Sequence, residues 1–233
     1  MKTIAIMQPY FLPYIGYFQL MAAVDRFVVL DDVNYINRGW VNRNRLLLNG
    51  SARTFTLPIR GASQNKLICD IELVGEQGWR DKLIRTMQHA YGQAPCYAHV
   101  SALMECLVNY PSMRLDEFLL NSLRAIVRYL SLEVEIVSTS RVYKNAHLKS
   151  EERILDICRQ ERADVYINPI GGENLYERAS FMEQGIQLKF LRSRPVSYTQ
   201  GKGEHIPWLS ILDVLMFNES FAVRQLLTEM DLV

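Results

Sequence analysis

The chain has 233 residues, 49% hydrophobic and 22% charged, enough apolar content to bury the core of one large domain. Its 26 basic and 25 acidic side chains leave a net charge of +1, which argues against an electrostatic sink for nucleic acid or an anionic membrane. No run reaches the ~18 consecutive apolar residues of a membrane span, and the first residues lack the pattern of a secretory leader. No membrane partner and a cytoplasmic location are therefore expected.

In chain order, "KTIAIM" (2–7) and "RFVVLDD" (26–32) are short Ile- and Val-rich runs that predict buried strands. Between them "YIGYFQLMAAV" (14–24) places Ile15, Phe18, Leu20, Met21 and Val24 at helical spacing. Strand, helix and strand so close together read as a βαβ unit with parallel strands. "RNRLLLNGSARTFTLPI" (43–59) predicts a hairpin around Asn49-Gly50, and "KLICDIEL" (66–73) a further strand. Three helices are expected over 78–92, 98–109 and 114–132, the last with a strong 3.6-residue period. Alternation then resumes: a strand over 133–138, a helix over 150–160 with Ser150 as N-cap, and a strand over 163–169. A helix over 174–185, a strand over 186–191 and two closing helices from "SILDVLMFN" and "SFAVRQLLTEM" complete the chain. The fold class expected is α/β, a doubly wound, Rossmann-like, mostly parallel sheet in one domain spanning 1–233, with a hairpin and helical insertion over 43–132.

Four scattered cysteines, Cys69, Cys96, Cys106 and Cys158, contain no C-x-x-C pair. They read as small apolar side chains, with no disulfide framework and no metal site.

Ligands of open parallel sheets bind beyond the carboxyl ends of the strands, so strand-end residues are the site candidates. In "MQPYFLPY" (7–14), Pro9 and Pro13 restrict φ and remove two backbone donors. Tyr10, Tyr14 and Tyr17 offer rings for stacking, Gln8 an amide, and Gly16 room for close approach. The same aromatics also suit a plain core. Asp31 and Asp32 end the second strand and could hold an amine, a ribose hydroxyl or Mg²⁺. "NRGWVNRNRL" (37–46) combines Trp40, Asn42, Arg43 and Arg45, a set suited to gripping phosphate or, alternatively, a small RNA patch. "NPIGGENLYE" (168–177) has Asn168, Gly171 and Gly172 where a strand would turn into a helix, mechanically a phosphate-binding turn. "STSR" (138–141) adds Ser140. In "SYTQGKGEHIPW" (197–208), Lys202, Glu204 and His205 are reactive types, and imidazole is the side chain that changes charge near neutral pH.

Several of these segments together resemble the WbqC-like protein family: "MQPYFLPYIGYFQL" (7–20), "DRFVVLDDVNYINRGWVNRNRL" (25–46), "HAYGQAPCY" (89–97), "NPIGGENLY" (168–176) and "WLSILDVLMFN" (208–218). The resemblance implies a place in bacterial O-antigen and other surface-polysaccharide gene clusters, and so an enzyme modifying a nucleotide-linked amino sugar. A fainter likeness links the first βαβ unit to nucleotidylyltransferase-like and pantothenate-synthetase-like proteins. Those carry an HxGH motif for ATP phosphates where this chain has Tyr14-Ile15-Gly16-Tyr17, and tyrosine, neutral at pH 7, offers no cation.

The concrete expectation is a transferase moving an acyl or aminoacyl group onto the sugar amine. His205, Asp32 or Asp31 would be the base, and Gln8, Asn42 or Ser140 would orient groups or stabilise an oxyanion. Arg43 and Arg45 would hold pyrophosphate, with Tyr10 or Trp40 stacked on a ring. No cofactor is required, although ATP, Mg²⁺ and a tRNA-borne donor are all compatible. The alternative is a non-catalytic nucleotide-sugar-binding or scaffolding protein.

Overall fold

A computed structural model describes residues 1–201 and 203–233; Lys202, named above, lies outside the described residues. The central sheet has six strands. Strand β1 (Thr3–Met7) leads through helix α1 (Ile15–Ala22) to β2 (Arg26–Val29), its parallel neighbour. After a long excursion, β7 (Glu135–Val137) joins the free side of β2, again parallel. Helix α5 (Ser150–Gln160) then carries the chain back across the sheet to β8 (Val165–Pro169), parallel to β1 on its other side. Helix α6 (Arg178–Glu183) leads to β9 (Gln187–Ser193), parallel to β8. Helices α7 (Ile211–Phe217) and α8 (Ser220–Leu226) precede β10 (Met230–Leu232), which closes the sheet as an antiparallel edge strand. The order is β10-β9-β8-β1-β2-β7.

Alternation along these strands builds a core on each face. Ile4, Ile6, Val28, Tyr166, Leu188 and Phe190 pack with Ile154, Ile157 and Cys158 of α5 and Phe181 of α6. Ala5, Phe27, Val29, Val165, Ile167 and Leu191 face the opposite way, toward α1 and α7. Helices on both faces of a mostly parallel sheet follow directly, because strands buried on both sides need two covers.

The excursion begins with the hairpin of β3 (Arg43–Leu48) and β4 (Ser51–Thr56). Asn49 and Gly50 at its tip have φ of 51° and 71°, the left-handed pair that a two-residue turn requires. A two-residue ribbon of β5 (Ile59–Arg60) and β6 (Glu72–Leu73) follows, then α2 (Gly78–Tyr91), α3 (Tyr97–Val108) and α4 (Leu115–Tyr129). These helices join the core shared with α1 and α7. The β1–α1 loop is the joint: Phe11 is fully buried between Phe55 and Phe118, with ring centroids at 5.9 and 5.6 Å. Leu12 is also fully buried, and its carbonyl accepts from Asn44 Nδ2 and Ser210 Oγ, each at 2.7 Å.

Four local expectations are corrected. Residues 66–73 form a 3₁₀ turn (Ile68–Asp70) before the short β6. Lys149, not Ser150, occupies the cap position of α5, without a side-chain cap. The stretch after β8 is a 3₁₀ turn (Ile170–Leu175), and α6 starts only at Arg178. Between them Tyr176 is extended so that its ring can pack on Tyr166 and Phe181. The last helix stops at Leu226, leaving β10, whose three residues are too few to show a period. Three cysteines are buried as expected of apolar side chains, but Cys106 is exposed. No helix among the described residues is long and apolar enough to cross a membrane.

Candidate functional site

From β1 the chain moves toward β2 and β7, whereas β8, β9 and β10 lie on the other side. The strand order therefore reverses between β1 and β8, and the crevice beyond their carboxyl ends is where such sheets take ligands. A cavity of about 540 Å³ opens there.

Each wall comes from a different segment. The β1–α1 loop supplies Tyr10, Pro13 and Tyr14, and the hairpin with its approach supplies Trp40, Asn44 and Arg45. The turn after β8 supplies Pro169, Ile170 and Gly171, the end of β9 supplies Leu191 and Ser193, and the loop before α7 supplies Trp208. Asn44 and Leu191 are buried, whereas Trp40 and Trp208 remain 45% and 43% exposed. The Ser193 hydroxyl donates to Gln19 Oε1 at 2.5 Å, which ties the end of β9 to α1.

Arg45 is the cation of the cavity. Its guanidinium lies 5.9 Å from the Trp40 ring centroid, a cation–π distance. It also donates to the Trp208 carbonyl at 3.0 Å. Its Nε is buried without a hydrogen-bond partner, and among the described residues no carboxylate pairs with it. Burial pushes the phenols of Tyr14 and Tyr10 above their usual value, with the two rings reinforcing the effect at Tyr10. Both hydroxyls therefore keep their protons near neutral pH and are available as donors. Together the cavity offers flat apolar walls, hydroxyl donors and one uncompensated positive charge, the chemistry of a site for a ring-bearing anion.

The family model for the WbqC-like protein family matches residues 8–225. The chain belongs to that family. Among its relatives is the uncharacterized protein Rv1507c of Mycobacterium tuberculosis, 28% identical over 221 residues that cover 94% of each chain. No solved structure matches significantly.

Of the residues singled out from the sequence of this WbqC-like chain, Tyr10, Tyr14, Trp40, Arg45 and Gly171 meet at the cavity. The others are placed elsewhere. Asp31 and Asp32 lie in a buried cluster at the carboxyl ends of β2 and β7. Asp31 Oδ1 accepts from Thr139 Oγ1 at 2.8 Å and Ser140 N at 3.0 Å, and Arg141 pairs with Oδ2 at 3.2 Å. Asp32 accepts from Arg153 at 2.5 Å and from the Ser140 hydroxyl. Arg153 also donates to Asn145 Oδ1 at 3.1 Å. These contacts tie β2 to α5 and to the 3₁₀ turn Ser140–Tyr143, so Asp31, Asp32 and Ser140 are corrected from the shared hollow to a structural knot.

Arg43 donates to the carbonyls of Gly39 (2.9 Å) and Arg38. It thus holds the turn that carries Trp40, with its guanidinium 5.5 Å from the Trp40 ring centroid, and is not itself among the residues lining the cavity. Asn42 is buried, accepting from Tyr35 Oη and donating to the Leu57 carbonyl, both at 2.8 Å. Asn168 accepts from Tyr166 Oη and donates to the Pro169 carbonyl, both at 3.0 Å, bracing the turn behind Gly171. A Cβ on Gly172 would fall 2.2 Å from Asn168 Nδ2, so that glycine makes room for the brace. Likewise a Cβ on Gly16 would fall 2.3 Å from the Tyr14 ring: the glycine lets the ring fold back over α1, which is a different job from admitting a ligand. Tyr17 is buried, donating to the Gln8 carbonyl at 2.8 Å, and neither it nor Gln8 lines the cavity.

His205 sits in a separate narrow recess that shares only Trp208 with the cavity. Its ring meets Tyr198 edge to face at 4.9 Å. Beneath it, sequence reasoning missed a buried acid, Asp213. Its carboxylate accepts from Tyr91 Oη (3.0 Å), Tyr198 Oη (2.6 Å) and Gln200 Nε2 (2.6 Å). Burial raises its pKa, partly offset by the three donors and by His205. This knot fastens the loop bearing Trp208 to α2 and α7. Trp208, also missed, has φ of 61°, a left-handed conformation that costs a bulky residue about 1–3 kcal/mol. The "IPW" preceding "LSILDV" was its only signal, an aromatic beside a proline just outside a helix.

Proposed function

We propose that this chain is an enzyme of bacterial surface-polysaccharide synthesis that transfers an acyl or aminoacyl group to the amine of a nucleotide-linked sugar. The carrying observation is the cavity at the strand-order reversal, walled by aromatic rings with Arg45 beside them and no carboxylate in its described lining. Its volume of about 540 Å³ falls in the usual range for small-molecule sites, ~300–1,000 Å³. The setting supports a Rossmann-like, nucleotidylyltransferase-like use of the crevice, with phosphate on Arg45 and the sugar toward Ser193 and the Ile170–Gly171 backbone.

In the transfer, the neutral amine nitrogen attacks the acyl carbonyl carbon, the bond to the donor's leaving group breaks, and the amine proton departs with that group or to water. Such a reaction is served mainly by holding two partners in line. The protonated Tyr10 and Tyr14 hydroxyls would donate to a developing oxyanion. With an activated donor no cofactor is needed; ATP and Mg²⁺ enter only if the chain activates the donor itself. The cytoplasm, where nucleotide sugars are made, is the fitting location.

A second reading, a non-catalytic nucleotide-sugar-binding protein of an assembly complex, is favoured by one observation: the cavity lining among the described residues has no carboxylate or imidazole. Thermal-shift measurements across UDP- and dTDP-linked amino sugars test the shared premise, and no stabilisation by any of them would sink both readings. Mass-spectrometric turnover with acyl-CoA and aminoacyl-tRNA donors separates them. A new amide on the sugar supports the enzyme, and binding without turnover across the panel supports the carrier.

A further inference from the structure

We propose that Trp208 and Trp40 form the base-recognition mouth of the cavity, taking the planar ring of a nucleoside diphosphate whose phosphates rest on Arg45. This deepens the reading above and rests on it.

Four observations carry the assignment. Both indoles are nearly half exposed at a cavity whose inner residues Asn44 and Leu191 are buried, so large flat apolar surface is kept at the entrance. Trp208 is held out in a left-handed backbone conformation that an L-residue rarely adopts. The surroundings over-determine it: Arg45 donates to its carbonyl at 3.0 Å, Tyr14 meets its ring at 5.9 Å, and Ser210 N donates to the Arg45 carbonyl at 2.9 Å. Trp40 is held on its own turn by Arg43. Finally, the Arg45 guanidinium touches both tryptophan-bearing segments while its buried Nε lacks a partner. A ring on an indole thus brings its attached phosphate to Arg45, the cation lining the cavity, and stacking accepts any base through its π-face.

Tryptophan fluorescence reads this directly. The third tryptophan, Trp79, donates its indole N–H to the Val74 carbonyl and packs against Phe118, away from the cavity. Full-length protein is titrated with UDP, dTDP, inorganic pyrophosphate and a sugar 1-phosphate. Saturable quenching by the nucleoside diphosphates, with pyrophosphate competing silently, is expected. Trp208→Ala should weaken UDP and dTDP roughly 10-fold, as expected for a lost stacked base, and leave pyrophosphate unchanged; Arg45→Met should weaken both classes. Trp208→Phe, which keeps a ring, should retain most of the affinity, and with Trp40→Ala it carries the test should the alanine variant not fold. Nucleoside diphosphate binding that neither quenches nor responds to either tryptophan would overturn the assignment while leaving the nucleotide-sugar reading intact. So would tryptophan-dependent binding of the sugar 1-phosphate alone. If no nucleotide and no nucleotide sugar binds the wild-type chain, both fall.

Discussion

The carboxyl edge of one sheet carries two polar regions of opposite character. At the ends of β2 and β7, Asp31 and Asp32 meet Arg141 and Arg153 in a closed, mostly buried cluster. At the reversal between β1 and β8, Arg45 stands beside aromatic walls without a carboxylate among the described residues. The residue types are the same. What differs is whether the charge finds its counterion within the fold. A buried carboxylate that finds its cation within the fold locks elements together. A cation beside open volume keeps its charge accessible from outside.

The largest expected effect lies on the structural side. Arg153→Ala leaves Asp32 charged and without its cation, and breaking such a buried pair costs about 3–5 kcal/mol. Urea denaturation measures it, and a loss below about 1 kcal/mol would erase the contrast. Next is Asp213, the buried acid beneath the loop that bears Trp208. Asp213→Ala strands three donors and is expected to cost about 2–3 kcal/mol. The raised pKa of Asp213 also fixes a sign. The folded state holds this proton where the unfolded state has released it, so stability falls as pH rises from the ordinary carboxylate range through the raised value. Asp156 and Glu161, whose pKa values are lowered, pull the other way. The difference between wild type and Asp213→Asn therefore isolates the slope, and its absence from that difference would refute the shift.

Arg45→Met should invert the pattern, changing stability by less than about 1 kcal/mol but weakening phosphate-bearing ligands about tenfold or more. The finest comparison is between two glycines. Gly171→Ala meets nothing within 4 Å and should shift stability by no more than about 0.5 kcal/mol. Gly16→Ala must push the Tyr14 ring off the cavity wall, and calorimetry should find weaker nucleotide-sugar binding than for Gly171→Ala. Equal affinities would remove Tyr14 from the site.

Much of the architecture was legible because it is local. The βαβ start, the Asn49-Gly50 turn and the amphipathic α4 each announce themselves within a dozen or so residues by period or turn chemistry. The strand-end rule pointed to the carboxyl edge of the sheet, where the cavity lies. It could not say which strand-end residue faces which neighbour. Asp32 and Arg45 look equally functional in sequence. Arg153, 121 positions from Asp32, claims the first, whereas the guanidinium of the second donates only to a backbone carbonyl and meets no carboxylate among the described residues. Glycine was misread for a related reason: the atom that Gly16 accommodates belongs to Tyr14, and only a rotamer reveals it.

By itself, then, the sequence determined the α/β alternation, the two-sided core and the family. Those rest on hydrophobic period, turn residues and motif order, which short windows contain. The tertiary structure alone decided the strand-order reversal, the antiparallel β10, the pairing of Asp32 with Arg153, and the meeting of Tyr14, Arg45 and Trp208. The reason is that a charge becomes a brace or a site according to its neighbours in space, and those neighbours arrive from segments more than a hundred residues apart.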